Sequence, residues 1–510
     1  MQVKLQSNPS ELPWIVQKYG GTSVGKFLNE IVEDIIPKYL KTNRVAIVCS
    51  ARSEDTEEKG TTNRLLEAVE KSLEGTDEYQ SIVNTIRNDH INTARSNIKN
   101  PEILLILEIQ LKNEFIKLSS FLEAAKIIGE VSPRSRDVIV GMGEKLSCII
   151  ITAVLKDRGI DSQLVALNDI IHQEFTNLDQ TFYDYISNRI HKVIHECGNS
   201  VPVLTGFFGP VPGGLLSKIG RGYTDLCAAL TAVGLKSEEL QIWKEVDGIF
   251  TVDPHKVSTS RLLPIISPEE AAELSYYGSK VIHLFTMEQI TRAEIPVRIK
   301  NVMNPSGPGS IIFPEKKKIV TCGMVTQPLE DLTQYEYRMD PSEDRPTAVT
   351  VKDEIWVVNV KLNHKNRSHI VLAKLFGILD KYHVPVDLVS TSNVHVSLAL
   401  SSKVASKSLR QALTELKDLG MINVIQDMAI VSLIGKHMKN TIGVASEMFT
   451  SLAESGINIE IISQGASKIN ISCVIKEKHA LTALEAIHRK LLDVDSNNEH
   501  VTNEITNSSL

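Results

Sequence analysis

The sequence has few cysteines for its length, and they are widely separated. The 510 residues include six of them, at positions 49, 148, 197, 227, 322 and 473. No two form a C-x-x-C pair, and none lies beside histidines at the spacing of a zinc site. This pattern predicts reduced, mostly buried thiols in a cytoplasmic protein.

Charge of one sign and long apolar runs are also scarce. The formal net charge is −7, too small over this length to indicate binding to nucleic acid or to an anionic membrane. No apolar run approaches the length of a membrane span, and the N-terminus lacks the apolar segment of a signal peptide. The length allows two to four domains around a large buried core.

A glycine-containing loop follows the first predicted strand. Trp14-Ile15-Val16 leads into Lys18-Tyr19-Gly20-Gly21-Thr22-Ser23-Val24, which is typical of a strand that ends in a tight loop. Successive N–H groups in such a loop can cradle an anion, and Lys18 is placed to reach a phosphate. A P-loop is the competing interpretation, but Phe27 stands where that motif needs a magnesium-binding hydroxyl. A plain Gly-Gly turn also remains open for this stretch alone.

A second glycine cluster lies between positions 206 and 222, with six glycines. It follows the predicted strand Val201–Leu204 and ends in Arg221-Gly222-Tyr223-Thr224-Asp225, ahead of a predicted helix. Such density favours a backbone that wraps a small ligand. Arg221 is the best candidate for a bidentate clamp on a carboxylate. Asp225 is either functional or only a helix cap.

Candidate polar groups also follow other predicted elements. Ser50, the last residue of the predicted strand 44–50, and Thr62 are candidate substrate-loop hydroxyls, although each alone could be a cap or turn residue. Glu144 follows two glycines at what we predict to be the start of an apolar helix. It is therefore either a structural acid favoured by the helix dipole or a partner for a substrate ammonium group. Residues 64–128 are predicted to be helical and to form a lid or packing layer.

The last two hundred residues contain a polar segment and then an internal repeat. Phe376, Leu379, Val384 and Val386 recur as Phe449, Leu452, Ile457 and Ile459, shifted by 73 positions. Each copy has the pattern strand, helix, strand, strand, helix. One copy alone exposes an apolar sheet face, so we expect two copies to pair side by side.

Several motifs, in order, resemble those of the aspartate kinases. Residues 18–24 resemble K-F-G-G-T-S-V, and residues 143–147 resemble G-E-x-L-S. Residues 220–225 resemble G-R-G-G-S-D, with Tyr223 in place of a glycine and Thr224 in place of a serine. Residues 243–254 resemble W-x-D-V-x-G-I-Y/F-T-x-D-P, and the repeats resemble a tandem of ACT domains. The resemblance covers nearly the whole chain and is closest to fungal-type monofunctional enzymes.

The resemblance implies an α/β catalytic domain over 13–320 with the three-layer αβα amino acid kinase fold and an open, mostly parallel sheet. A linker over 321–346 then precedes two α+β ACT domains over 347–423 and 424–495, followed by a disordered tail over 496–510. No homoserine dehydrogenase module is expected. The implied reaction is ATP plus L-aspartate to 4-phospho-L-aspartate and ADP, the first step of aspartate-family (threonine, methionine and isoleucine) biosynthesis.

The resemblance also implies roles for particular residues. The expected catalytic residues are Lys18 and Asp225. The expected aspartate-binding residues are Ser50, Thr62, Glu144, Phe207, Arg221 and Thr224. The expected nucleotide-binding residues are Gly20, Gly21, Thr22, Ser23, Lys244, Glu245, Phe250 and Lys280. His255 replaces an arginine that the family often carries, and His283 is expected to be a packed histidine. Magnesium is expected to be carried mainly by ATP, with no strong protein site.

The paired ACT units imply feedback control. Asp387 is the expected partner of an effector's α-ammonium group, unless that carboxylate is simply solvated. Ser392 and the neutral Asn393 favour L-threonine over L-lysine as the inhibitor, because a buried lysine ammonium needs an acidic partner. Paired units also favour an even-numbered homo-oligomer. The alternatives are a kinase for another acidic amino acid, such as glutamate or N-acetylglutamate, and a non-catalytic amino-acid sensor.

Overall fold

The computed structural model describes residues 5–53, 60–220, 222–279, 281–313, 345–362, 368–392, 394–402, 406–465 and 467–493. The chain forms two compact units. The first comprises Met1–Ile249, Pro264–Pro268 and Ile282–Val320. The second comprises Phe250–Leu263, Glu269–Val281 and Thr321–Leu510. The predicted linker and tail lie largely outside the described residues.

The first unit is built on an eight-stranded sheet in the order β3-β4-β2-β1-β5-β9-β10-β8. Neighbouring strands are parallel except for the antiparallel pair β9 and β10. The predicted open, mostly parallel sheet is therefore confirmed. In chain order, the described strands from the N-terminus to residue 312 are β1 Trp14–Tyr19, β2 Arg44–Cys49, β3 Ser162–Val165, β4 Val201–Thr205, β5 Glu239–Lys244, β6 Ile249–Phe250, β7 Leu262–Leu263, β8 Ile265–Ile266, β9 Val297–Asn301 and β10 Ser310–Ile312. Strands β6 and β7 pair with each other in a separate two-stranded sheet.

Helices connect these strands, and local sequence signals set several of their ends. In α5 the Asn100 side chain accepts hydrogen bonds from the first turn, Pro101 takes the first helical position, and Gly129 ends the helix at φ 74°; these residues favour such positions. The helices up to β10 are α1 Gly21–Lys26, α2 Ile36–Tyr39 after a π-helical turn Glu30–Ile35, α3 Thr61–Leu73, α4 Glu78–Asn97, α5 Pro101–Ile128, α6 Pro133–Asp157, α7 Gln180–Glu196, α8 Leu215–Lys218, α9 Tyr223–Leu235, α10 Pro268–Tyr276 and α11 Leu284–Arg292.

Helix α6 is the central apolar helix of the first unit. By length and composition it is the one helix among the described residues that could cross a membrane, but 83% of its most apolar window is buried inside the protein. It is therefore a core helix. Glu144 lies in its middle, eleven residues after its first residue. The predicted helix start at Glu144 is wrong, and the helix dipole at an N-terminus does not explain this acid.

The second unit contains one six-stranded sheet in the order β12-β13-β11-β14-β16-β15. The predicted repeat is present, and the two copies are joined side by side through the antiparallel pair β11 and β14. The predicted boundary at residue 423 falls inside β14. The remaining elements are β11 Ala348–Leu362, α12 Ser368–Lys381, β12 Val386–Thr391, β13 His395–Ser401, α13 Ser406–Leu416, β14 Gly420–Ile434, α14 Val444–Glu454, β15 Ile461–Gln464, β16 Asn470–Lys476 and α15 Ala480–Ile487.

Two segments that the sequence analysis assigned to the catalytic domain belong to the second unit. Val252 and Val257 are part of its apolar core, and Val349 N–H donates to the carbonyl of Thr251 at 2.8 Å. Tyr277 packs in a second core cluster of the same unit. The structure therefore builds this unit from the repeat together with residues 250–263 and 269–281.

Candidate active site

The predicted glycine loop lies at the carboxyl end of the central strand β1. The strand pairs in parallel with β2 and β5, so the loop stands where open α/β sheets bind ligands. Helix α1 begins at Gly21, and the first amides of a helix have no acceptor within it. The amides of Gly21, Thr22 and Ser23 are therefore available to an anion.

The glycines of this loop have two different roles. A side chain on Gly21 would come within 2.4 Å of the Ala51 carbonyl oxygen, and one on Gly25 within 2.1 Å of that of Ser53. These two glycines admit the backbone of the neighbouring loop rather than a ligand. A side chain on Gly20 would meet only Lys18 Nζ and Ser23 Oγ, both at 3.9 Å, so Gly20 is the glycine that leaves space for a ligand.

Lys18 and Asp225 form an ion pair beside this loop. Lys18 Nζ lies 2.8 Å from Asp225 Oδ1, and the two side chains are only 11% and 16% exposed. Asp225 lies in the first turn of α9 but pairs with a side chain from β1. A capping role therefore does not account for it, and its position fits the predicted orientation of Lys18.

Glu144 is fully buried beside the same pair. Burial raises its pKa to about 7, against opposing effects from Tyr223, Thr224, the main chain of Phe207 and the charge of Lys18. Thr224 Oγ1 donates a hydrogen bond of 2.9 Å to Glu144 Oε1. Within the described part of the chain, Oε2 accepts no hydrogen bond of good geometry. A buried carboxyl oxygen without a donor is costly unless a ligand supplies one.

Two glycines make room for the side chains around Glu144. A side chain on Gly206 would come within 2.5 Å of Thr224, and one on Gly141 within 2.4 Å of the Phe207 ring. Thr224 and Phe207 are 4% and 3% exposed. Gly206 thus lets the start of α9 approach the segment after β4, and Gly141 lets α6 approach the same segment.

The predicted nucleotide-binding residues are only partly brought together. Ser23 Oγ donates to Glu245 Oε1 at 2.7 Å, and Lys244 is the last residue of β5, so Ser23, Lys244 and Glu245 lie at one sheet edge. Phe250 belongs to the second unit. Arg221, Lys280 and Asn393 lie outside the described residues.

The other residues singled out from the sequence are Ser50, Thr62 and His283. Ser50 directly follows β2, where its N–H donates to the Tyr19 carbonyl at 3.1 Å. Thr62 lies in the first turn of α3. The His283 ring packs against Gly222, where a side chain would come within 2.4 Å, and burial lowers the His283 pKa. This is the position of a packed histidine, as predicted.

Asp387 is buried rather than solvated. Its side chain is 5% exposed, and Oδ1 lies 2.6 Å from Lys352 Nζ. Oδ2 has no hydrogen-bond partner among the described residues. Ser392 lies five residues further along, in an exposed turn where its hydroxyl accepts from His395 N–H at 3.1 Å. Five extended residues span roughly 16 Å, so within one chain a small amino acid does not reach both Asp387 and Ser392.

Sequence reasoning missed two residues of these sites. The Tyr223 hydroxyl faces Glu144, whereas the sequence suggested only a bulkier loop at this position. Lys352 pairs with Asp387 from a separate strand, 35 residues away. A tyrosine in place of a glycine was a signal for the first. Nothing in the sequence pointed to the second, because the pair depends on the order of strands in the sheet.

Comparisons with known proteins agree with this fold. Residues 13–301 match the amino acid kinase family, and residues 431–491 match an ACT domain family. Aspartokinase III of Escherichia coli, solved with aspartate and ADP in the R-state, aligns with a TM-score of 0.73 at 24% identity, over 94% of this chain and 100% of that one. The same protein with lysine and aspartate in the T-state gives 0.72 at 25%, over 95% and 100%.

Fungal proteins are similar over nearly the full length. The aspartokinase of Schizosaccharomyces pombe is 51% identical over 96% of this chain and 94% of its own. That of Saccharomyces cerevisiae is 48% identical over 99% of this chain and 98% of its own. The fold, the paired Lys18 and Asp225 and these similarities agree, and the chain belongs to the aspartokinases of the amino acid kinase family.

Proposed function

We propose that this kinase transfers the γ-phosphoryl group of ATP to the β-carboxylate of L-aspartate. The observation that carries the proposal is Glu144, a buried carboxyl group near Lys18 whose Oε2 accepts no hydrogen bond of good geometry from the described residues and whose pKa is raised by burial to about 7. An amino acid's α-ammonium group supplies the missing donor and a compensating charge. Aspartate bound there also supplies the nucleophile of the reaction, which is its own β-carboxylate.

The chemistry needs positioning and charge neutralisation rather than a general base. The β-carboxylate of aspartate is already ionised at neutral pH. Lys18 would neutralise charge on the transferring phosphoryl group, with Asp225 orienting its ammonium. The amides of Gly21–Ser23 would hold phosphate oxygens, and Arg221 would clamp the α-carboxylate. Magnesium would travel mainly with ATP.

The experiment is a coupled assay of ADP release with aspartate, glutamate and N-acetylglutamate in parallel. We expect turnover with aspartate only. Glu144→Gln keeps the shape but removes the charge, and should raise the KM for aspartate far more than the KM for ATP. Turnover with N-acetylglutamate, which has no ammonium group, would overturn the role of Glu144. The absence of turnover with all three amino acids would contradict a kinase and favour the non-catalytic amino-acid sensor.

We further propose that L-threonine inhibits the enzyme through Asp387, within aspartate-family biosynthesis in the cytoplasm. The buried position of Asp387 and its unpartnered Oδ2 support a cation site, and the neutral Asn393 in the sequence supports threonine over lysine. Because Asp387 and Ser392 are far apart in one chain, any contact of a single effector with both needs a second copy. Asp387→Ala should abolish threonine inhibition and leave uninhibited turnover intact. Inhibition by lysine alone would contradict the assignment.

A further inference from the structure

Helix α5 carries large apolar side chains on the face opposite to the one it buries. It buries Leu107, Leu111, Phe115, Leu118 and Leu122. The outward face exposes Leu105 by 61%, Ile109 by 52%, Ile116 by 55% and Ile127 by 79%. A contiguous row of large exposed apolar side chains on a surface helix marks an interaction site. The outward face therefore has the composition of an interface.

Four of the exposed apolar side chains form a nearly straight line along the helix, whereas Ile106, Phe121 and Ile128, which are also exposed, point away from it. Leu105, Ile116 and Ile127 are spaced by eleven residues, and eleven residues return a helix to within about 20° of the same direction. The line is roughly 33 Å long, with Ile109 on the same face. An eleven-residue period lets straight helices remain in contact along their length. We call Leu105, Ile109, Ile116 and Ile127 the α5 stripe.

Two exposed charges lie along one edge of the α5 stripe with the same spacing. Lys112 and Glu123 are eleven residues apart, so they lie on the same side of the stripe. Their midpoint falls between residues 117 and 118. In an antiparallel pair of α5 helices centred there, Lys112 of each copy is level with Glu123 of the other. One two-fold axis thus creates two opposite-charge pairs.

The same register fits the sizes of the side chains. Ile116 becomes level with the small Ser119 of the second copy, beside Ser120. Ile109 lies about one residue from the level of Ile127 in the second copy. Ile116 therefore meets small side chains and Ile109 meets Ile127, while Leu105 extends past the end of α5 in the second copy, level with Glu130. Such self-complementarity is what an isologous two-fold interface requires.

We propose that the α5 stripe pairs with the α5 stripe of a second copy of this chain, antiparallel and centred between residues 117 and 118. A lipid surface fits less well, because α5 contains three lysines and four glutamates and has no basic face to meet anionic headgroups. The interface is separate from any contact between ACT units.

The first test measures the mass of the full-length protein by sedimentation velocity. Ile116→Glu places a charge in the centre of the stripe and should halve the mass of the assembly, because an isologous contact joins copies in pairs. Leu73→Glu, on another exposed leucine of the same unit (39% exposed), is the matched control and should leave the mass unchanged. Equal masses for the wild type and Ile116→Glu would overturn the proposal.

The second test separates a second copy from any other partner. Lys112→Glu and Glu123→Lys each place like charges opposite one another twice, and each should raise the dissociation constant of the assembly about tenfold at low salt. The double variant restores opposite charges and should return to within about threefold of the wild type. An unrelated partner would not be restored by the double variant. Failure of the double variant to recover would therefore overturn self-pairing and this register.

Discussion

At the scale of single residues, Lys18 is the group whose removal should affect chemistry most directly. It is held by Asp225 at 2.8 Å and lies beside Gly20, where a ligand has space. If Lys18 neutralises the transition state, Lys18→Ala should lower kcat by about 10²–10³, as the loss of such a donor typically does. Steady-state kinetics with saturating ATP and aspartate measures this.

Lys26 provides the matched control for Lys18. It is exposed at the end of α1, and it is the lysine on which a P-loop would depend. Lys26→Ala should leave kcat within about twofold of the wild type, because surface substitutions away from a site have small effects. A large loss in Lys26→Ala, with Lys18→Ala near normal, would reinstate the P-loop interpretation.

Glu144 should exchange a proton when aspartate binds. Burial raises the Glu144 pKa to about 7, so about half of the empty sites carry a proton at neutral pH. An ammonium group beside the carboxylate favours its charged form and lowers this pKa. Aspartate binding near pH 7 should therefore release about half a proton, and less at pH 8.5, where the group is already ionised.

Calorimetry of aspartate binding in two buffers with different ionisation enthalpies measures that proton. Glu144→Gln cannot titrate and should release none at this position. The sign for folding follows from the same shift: the raised carboxyl pKa destabilises the ligand-free enzyme as pH rises from about 4.5 to 7. Proton uptake on aspartate binding would contradict an ammonium partner at Glu144.

At the scale of elements, the start of α9 directs two neighbouring side chains to two different groups. Consecutive helical residues point about 100° apart, so Thr224 reaches Glu144 while Asp225 reaches Lys18. Thr224→Val removes a buried donor without changing the shape much. It should raise the KM for aspartate about tenfold, the effect of an unmade buried hydrogen bond.

The conservative change at the same position is the control. Thr224→Ser keeps the hydroxyl and should stay within about threefold of the wild-type KM for aspartate. Both variants should leave the KM for ATP nearly unchanged, because Thr224 contacts Glu144 rather than the glycine loop. A tenfold rise with serine as well would show that the methyl group, packed against Gly206, matters more than the hydrogen bond.

The elements of the first unit could largely be predicted, but the purpose of their glycines could not. Apolar runs ending in glycine and hydroxyl residues predicted β1, β2 and β4 well, because buried parallel strands have that composition. Gly141 and Gly143 suggested a helix start before Glu144. They lie inside α6 instead, where a side chain on Gly141 would collide with the Phe207 ring and one on Gly143 would crowd Ala51 and Leu65. Sequence spacing does not reveal contacts between distant elements.

Strand order in the second unit makes Lys352 a competitor for any cation that binds Asp387. The two side chains are paired at 2.6 Å. Lys352→Met removes the competing ammonium and leaves a buried carboxylate without compensation. An effector's ammonium should then bind more strongly, and the threonine concentration for half inhibition should fall about tenfold.

Lys352→Arg keeps the competing charge and is the control. Half inhibition should stay within about threefold of the wild type, although arginine does not reproduce lysine's geometry. Inhibition curves at fixed aspartate and ATP give both values. Loss of threonine inhibition in Lys352→Met, in a well-folded protein, would show that Lys352 belongs to the effector site rather than competing with it.

At the scale of the whole molecule, the boundary between the two units does not follow the order of the chain. Residues 250–263 and 269–281 belong to the second unit, although they lie between stretches of the first. The chain therefore passes between the units several times near its predicted nucleotide motif. Composition suggested a single linker at 321–346, because contacts made by short inserted segments leave no compositional signal.

Glu270 is one of the residues that connect the segment 269–281 to the ACT strands. Glu270 is 5% exposed, and its Oε1 accepts hydrogen bonds from Thr347 Oγ1 at 2.6 Å and from Lys436 N–H at 2.8 Å. An effector changes activity only through differential binding to two states. If the segment 269–281 moves with the ACT strands, Glu270 would transmit the effector's preference for one state from those strands to the segment.

If threonine inhibits the enzyme as proposed, Glu270→Ala should weaken the coupling between threonine binding and the catalytic reaction. Coupling free energies of this kind are typically about 1–3 kcal/mol, so losing one tie should raise the half-inhibitory threonine concentration about five- to tenfold. Glu269→Ala, on the exposed neighbour, should leave it unchanged. Turnover without threonine should stay within about twofold of the wild type in both variants, because neither residue lies among the groups around Lys18 and Glu144. Identical inhibition curves for the two variants would show that the signal does not pass through Glu270.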